Sequence, residues 1–397
     1  MTNREVVTLA HGALMDVYAC LPIALARGEG AYLYDVEGKR YLDFFCGLAV
    51  TSLGHAHPGV TNAIREQAAR LTHVSNVFHT ESSARVADEL SRRFGGGRVF
   101  LCNSGAEANE AASKLARRWG SSQGGRYEII TALNSFHGRT LATLAATGQE
   151  KYHVGFQPLP QGFRIVPFDD LAAVRAALRD QTVAVMVEPI QGEGGVVVPR
   201  DGRYLEGLRE LCDQRKMLLI FDEVQTGVGR TGKFFAYEHW GVRPDVATLA
   251  KALGNGLPIG AAVATPEAAS GMTAGAHGST FGGNPVSCAS ALAVLRALDA
   301  DGVLENCAAV GAYLMERLRE IAKRAKTVLE VRGKGMLIGI ELRHEARSAV
   351  EFCLEQGLIV NATAGNVLRL LPPLNLSRAQ ADEGLAIISR ALGAALT

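Results

Sequence analysis

Six short apolar runs, at residues 98–102, 127–132, 183–187, 217–221, 246–250 and 260–264, punctuate the middle of the chain. Between them lie stretches with helical spacing. Alternation of this kind predicts a largely parallel sheet covered by helices. Val60, Ile64, Ala68 and Leu71 repeat at helical intervals, and Ala108, Ala112, Leu115 and Trp119 do so after the first run. Both sets are expected to be amphipathic core helices. Glycine supplies 44 of 397 residues, above the usual ~7%, and gathers in loops after the apolar runs, where α/β proteins place ligands.

A chain of 397 residues has room for about two domains. The stretch Ala31-Tyr-Leu-Tyr-Asp-Val-Glu-Gly38, with residues 39–45, reads as a hairpin turning at Glu37-Gly38. From about residue 285 the chain becomes rich in Ala and Leu, and short strands follow near 327–331 and 336–342. The expected division is an N-terminal segment (1–50), a large domain (51–284) and a smaller C-terminal domain (285–397).

Lys plus Arg (41) nearly cancels Asp plus Glu (40), and the charges are interspersed, which argues against a nucleic-acid or anionic-membrane surface. The seven cysteines are scattered without a Cys-x-x-Cys pair and read as core residues in a reducing cytoplasm. No apolar stretch reaches the ~18 residues needed to span a bilayer, and the first residues, Met1-Thr-Asn-Arg-Glu5, contain no signal core. Small-molecule chemistry without a metal is the expectation.

Two charges sit where apolar runs should continue or end. Asp222 terminates Met217-Leu-Leu-Ile-Phe221, and Lys251 interrupts Val246-Ala-Thr-Leu-Ala-Lys251-Ala-Leu. A lysine on the rim of a buried strand loses hydration, which favours its neutral amine and attack on a carbonyl to form a Schiff base. An aspartate could hold a pyridinium nitrogen protonated. Pyridoxal phosphate chemistry needs such an anchor and such a partner; a structural ion pair is the other reading.

Further segments carry alternatives of their own. Asn103-Ser104-Gly105-Ala106-Glu107 joins a strand to a helix and could offer backbone N–H groups to a phosphate, or could be a helix capped by Ser104 and Glu107. Phe136, in a polar loop, could stack on a flat cofactor or fold onto the core, and Arg139 could clamp a carboxylate. His55 and His57 read as members of a turn more readily than as metal ligands. Glu193 and Arg369 lie beside glycine-rich and apolar stretches, and a leucine-flanked arginine usually has a paired anion. Gly227-Val-Gly-Arg-Thr-Gly232-Lys233-Phe234 approaches both GxGxxG and the P-loop, but Phe234 replaces the Mg²⁺-binding hydroxyl. A phosphoryl-transfer enzyme is therefore the rival class.

Taken in order, these motifs, together with Tyr34 to Gly38, Glu188-Pro-Ile-Gln-Gly192 and Gly278 to Pro285, resemble the class III pyridoxal-phosphate aminotransferases over nearly the whole chain. The resemblance implies an α/β fold of type I: a mostly parallel seven-stranded sheet between helices, with a smaller α+β domain. It implies a homodimer with shared sites. Lys251 would carry the cofactor, Asp222 would face the pyridine nitrogen and Phe136 the ring. Ser104, Gly105 and Ala106 would hold the phosphate; Glu223, Val224 and Gln225 would complete the cofactor set, and Thr280 would reach the neighbouring subunit's phosphate. Arg139, Ser279, Glu193 and Arg369 would bind substrate, with Glu193 masking Arg369 while the amino donor reacts and releasing it for 2-oxoglutarate. Leu48 falls where related ornithine enzymes carry a tyrosine, which favours an acylated α-nitrogen and hence N-acetylornithine. N-succinylornithine, N-succinyl-diaminopimelate, ornithine and 4-aminobutyrate are the alternatives.

Overall fold

The computed structural model describes residues 1–393. At its centre lies a sheet of seven strands: β1 (Arg98–Cys102), β2 (Glu128–Ala132), β3 (Phe163–Val166), β4 (Thr182–Val187), β5 (Leu218–Asp222), β6 (Val246–Leu249) and β7 (Gly260–Ala264). Their order is β1-β7-β6-β5-β4-β2-β3. Only β7 runs against the rest, pairing antiparallel with both β1 and β6; the other neighbours are parallel. Strands β4 and β5 are buried along their full length, which explains why they read as continuous apolar runs.

Strand β3 has no counterpart among the six apolar runs. Arg164 interrupts it, and the strand is four residues long at the sheet edge. Its guanidinium reaches across to Glu128 on β2, with Nε 3.2 Å from Oε1. A cross-strand ion pair therefore replaces the alternation that would have marked the strand.

Helix α1 (Gly105–Ser121) packs against the sheet, with Ala108, Ala112, Leu115 and Trp119 all buried as their spacing requires. The earlier helix, Pro58–Ala68, behaves differently. Val60 is its one buried residue, Ile64 is half-buried, Ala68 is exposed, and Leu71 lies beyond its end with 39% of its surface exposed. It is a surface helix resting one edge on the helix Pro285–Ala300, so helical spacing alone overstated its burial.

Two smaller sheets flank this body. Tyr32–Asp35 and Arg40–Asp43 form the expected hairpin, turned at Gly38 with φ +87°, a conformation that favours glycine. Asp35 Oδ1 accepts from the amides of Glu37 and Lys39 and fixes that turn. Leu358–Ile359 adds to this sheet in parallel beside Arg40–Asp43, so residues from both ends of the chain share it. The other sheet is antiparallel, in the order Val328–Lys334, Leu337–Leu342, Val367–Leu370, Asn361–Thr363. It carries Arg369 toward the main sheet. All seven cysteines are free, and all but Cys20 are buried. Among the described residues no helix is long and apolar enough to cross a membrane.

Candidate active site

A cleft of about 380 Å³ opens at the carboxyl ends of the parallel strands, where loops after β1, β2, β4, β5 and β6 converge. Asp222, the last residue of β5, is 3% exposed. Its Oδ2 accepts from Asn109 Nδ2 at 2.7 Å and lies 2.7 Å from His137 Nδ1, while Oδ1 accepts from the amide of Val224 at 3.0 Å. Asn109 is itself held by Thr248, whose Oγ1 donates to Asn109 Oδ1 at 2.7 Å. Burial pushes the His137 imidazole down, but the hydrogen bond and charge of Asp222 outweigh it and leave the pKa raised. The aspartate is thus oriented by groups from three elements of the fold.

Lys251 follows β6 in the left-handed region, at φ +42°. For a lysine that geometry costs roughly 1 to 2 kcal/mol. Such strain tends to survive where a side chain must be aimed. Here the side chain lines the cleft beside Asp222. Burial lowers the pKa of its amine against the opposing pull of Glu193 and Asp222, which makes the neutral nucleophile more accessible.

At the start of α1, the cap expected from the sequence is present and adjoins the cleft. Ser104 Oγ accepts from the Glu107 amide at 3.2 Å, and Glu107 Oε2 accepts from the Asn103 amide at 2.7 Å. That cap leaves the amides of Gly105 and Ala106 without intrahelical partners, and both residues line the cleft. A Cβ on Gly105 would stand 2.6 Å from Val224 Cγ1, so only glycine fits between the helix and the loop after β5. Phe136 lies on the wall, its amide donating to Glu188 Oε1 at 2.9 Å. Burial raises Glu188 to about 7. Arg139 also lines the cleft, with its guanidinium carbon 3.9 Å from the ring centroid of Tyr152.

Glu193 lines this cleft and pairs with the buried Arg369. Arg369 Nη1 donates to Glu193 Oε1 at 2.6 Å and to Gln225 Oε1 at 3.2 Å. Arg369 is fully buried, yet its Nη2 has no protein partner among the described residues. Burial pushes the Glu193 carboxyl up, but the charges of Arg369 and Lys251 outweigh it and hold its pKa below the ordinary value.

Ser279 and Thr280 lie outside the cleft. Ser279 Oγ accepts from Asn103 Nδ2 at 3.2 Å, and Thr280 is exposed; both line an adjoining hollow with Asn103 and Glu107. Glu223 corrects the cofactor set drawn from sequence, because its side chain turns away from the cleft into the core. It accepts from Thr226 Oγ1 and from the Tyr237 amide. Leu48 is partly exposed on a turn with φ +70°, and Val50, two residues on, lines the cleft in its place. The P-loop-like segment leads into a single 3₁₀ turn, Ala236–His239, with no α-helix start to hold a phosphate. Its Arg230 is buried and donates to the carbonyls of Met336 and Pro372. His55 is satisfied by Asp43 at 2.7 Å.

Sequence reasoning assigned no role to Asn109, His137 or Glu188. Asn109 carried a usable signal, a polar residue on the face of α1 otherwise filled by Ala108 and Ala112. Glu188 carried one too, a carboxylate directly after the apolar run 183–187, whereas His137 carried none, because its partner Asp222 lies 85 residues away.

The core position of Glu223 has a measurable consequence. Burial raises its pKa from 4.5 to about 7, so between these values the unfolded chain ionises while the folded one stays protonated. Folding then loses stability as pH rises through that window. Glu223→Gln should stabilise the protein by on the order of 1–3 kcal/mol at pH 8 and have little effect near pH 4.5. Thermal unfolding at the two pH values checks this, and equal shifts at both would refute it.

The family model for class-III aminotransferases matches residues 15–392. An acetylornithine aminotransferase of Caldanaerobacter subterraneus subsp. tengcongensis is 49% identical over 391 residues, covering 97% of this chain and 98% of that protein. Among solved structures, an ornithine aminotransferase of Toxoplasma gondii, described with partial occupancy of PLP at its active site, superposes with a TM-score of 0.95 at 34% identity, covering 98% of this chain and 94% of its own. The N-acetylornithine aminotransferase of Stenotrophomonas maltophilia K279a gives a TM-score of 0.84 at 37% identity, covering 98% of each chain. With a lysine and a buried aspartate converging on one cleft of this fold, the chain belongs to the class III aminotransferases, pyridoxal-phosphate-dependent transaminases.

Proposed function

We propose that this protein moves the δ-amino group of N2-acetyl-L-ornithine to 2-oxoglutarate, giving N-acetyl-L-glutamate 5-semialdehyde and L-glutamate, as a step in arginine biosynthesis. The observation that carries this reading is the closed Glu193–Arg369 pair, whose carboxylate lines the cleft that also holds Lys251. A site that must take a terminal amine and then an α-keto dicarboxylate needs an arginine that can be masked and exposed. The acetylated donor is supported by the relatives named above and by the cleft entrance: Val50 and the nearby Leu48 offer no acceptor to a free α-ammonium, and an acylated nitrogen needs none.

The residues fit pyridoxal phosphate, whose ring supplies an electron sink when bound. Lys251 would hold it covalently, Asp222 would face its ring nitrogen, Phe136 its face and Gln225 its ring oxygen. The Gly105 and Ala106 amides would hold its phosphate at the N-terminus of α1. Thr280, exposed on this chain, would complete the phosphate site of a second copy. Once displaced by the donor, the Lys251 amine takes a proton from the donor's δ-carbon as general base, and in the second half-reaction it delivers one to C2 of the incoming keto acid. Arg139, steadied on Tyr152, would hold the donor carboxylate, and Ser279, outside this chain's cleft, would join Thr280 in serving the site of a second copy. Glu193 keeps Arg369 neutralised while the donor reacts, then yields it to the second carboxylate of 2-oxoglutarate.

The working unit we propose is a homodimer in the cytoplasm. Met15, Tyr18, Val77, Phe78 and Phe281 are each at least 60% exposed, apolar side chains that a second copy would cover, and the free, mostly buried cysteines suit a reducing compartment. Sedimentation at twice 42.2 kDa is expected; a monomer at micromolar concentration would refute the dimer. For the substrate, kcat/KM should be highest for N-acetylornithine among that amine, N-succinylornithine, ornithine and 4-aminobutyrate, with 2-oxoglutarate as acceptor. Preference for any other donor keeps the chemistry and rejects the assignment.

A further inference from the structure

Gln225 closes a triangle with the two members of the ion pair in the cleft. Its Nε2 donates to Glu193 Oε1 at 3.2 Å and its Oε1 accepts from Arg369 Nη1 at 3.2 Å, while the same Nη1 donates to Glu193 Oε1 at 2.6 Å. The amide has little room to turn. Gln225 is 6% exposed, and a Cβ on Gly192 would stand 2.0 Å from its Oε1. Gly192 immediately precedes Glu193, so the backbone that carries the carboxylate also packs against the amide.

The two ionic partners are not equally free to move. Arg369 lies on a strand paired on both sides, and its Nε donates to Asn361 Oδ1 at 3.3 Å. Glu193 sits in a loop between Gly192 and Gly194, where Thr363 Oγ1 donates to its backbone carbonyl at 2.6 Å, and its side chain, unlike that of Arg369, is partly exposed. When that side chain leaves, two bonds break: one to Arg369 and one to Gln225. An incoming carboxylate restores the bond to Arg369. The bond from Gln225 to Glu193 is lost.

We infer that Gln225 is a latch on the Glu193–Arg369 pair, a positioning residue that favours the masked arginine and so sets how readily a dicarboxylate gains access to it. This rests on the reading of Glu193 and Arg369 as a switch between amino donor and keto acid. The latch supplies a bias that the ion pair alone does not: the amide stabilises the closed state without adding charge, so Arg369 keeps its full charge for the acceptor.

Gln225→Met in the holoenzyme tests the inference, because methionine keeps the length and flexibility of the side chain and removes both hydrogen-bonding groups. Binding is read by calorimetry with two unreactive ligands, glutarate, which needs Arg369, and valerate, which lacks the second carboxylate. Glutarate should bind roughly tenfold to a hundredfold more tightly, the loss of one hydrogen bond to a charged group from the closed state, with valerate unchanged. In turnover, KM for 2-oxoglutarate should fall while KM for the amino donor rises. Gly192→Ala, which displaces the amide without altering Gln225, should shift glutarate binding in the same direction. Glutarate affinity that is unchanged, or that weakens together with valerate, would overturn the latch and leave Gln225 a packing or cofactor residue. Glu193→Gln separates the two levels of the argument. If it leaves glutarate affinity unaltered, the switch itself is wrong; if it tightens glutarate while Gln225→Met does not, only the latch is wrong.

Discussion

Lys251→Ala should lower transamination by at least about 10³-fold, within the usual range for loss of a general acid–base group, and should do so with every donor. The alanine variant should still fold, because burial disfavours the charged amine that the substitution removes. Unfolding transitions of variant and parent separate lost chemistry from lost structure. The rival phosphoryl-transfer reading predicts the opposite ranking, with Lys233 essential and Lys251 dispensable. Lys233 is exposed on the turn after Gly232, away from the cleft, and Lys233→Ala should leave activity within about twofold, as for most surface substitutions.

Asp222→Asn should lower kcat on the order of 10³-fold while leaving KM for both substrates within a few-fold. The substitution keeps the shape of the side chain and removes the charge that would favour a protonated ring nitrogen. It also removes the counter-charge of His137. With Asp222 present, the His137 pKa is raised above 6.5, so the pair contributes stability that is complete below about pH 6.5 and fades as pH rises through the raised value. In the asparagine variant burial acts on the imidazole with only the charge of Glu188 against it, and protonating it becomes harder. Destabilisation should therefore be larger at pH 6 than at pH 9, by roughly 1 to 3 kcal/mol. A variant destabilised equally at both pH values, with kcat intact, would make Asp222 a structural residue.

The sequence exposed Asp222 and Lys251 because each breaks an apolar pattern. Strand β5 ends on a carboxylate, and the lysine follows β6 directly. The same logic located β1 and β7 to the residue, since hydrophobic runs bounded by polar loops are what buried strands require. Pattern reading fell short where tertiary contacts supply the stabilisation. Arg164 conceals β3 because its charge is answered by Glu128 on the next strand. The surface helix Pro58–Ala68 has core-like spacing but rests only one edge on its neighbour. Glu193 and Arg369 were each legible as charges out of place, but their pairing spans 176 residues and brings together a loop after β4 and a strand of the C-terminal sheet. Glu223 misled because it adjoins Asp222 in sequence, and neighbouring residues at the end of a strand point to opposite sides of it.

The most direct test of the account is to add pyridoxal phosphate to the purified protein, reduce with borohydride and map the modified peptide by mass spectrometry. The account predicts one pyridoxyl group per chain, on Lys251, and its loss when saturating N-acetylornithine is added before reduction. An adduct on another lysine, or none on Lys251, would contradict the central claim that this residue anchors the cofactor.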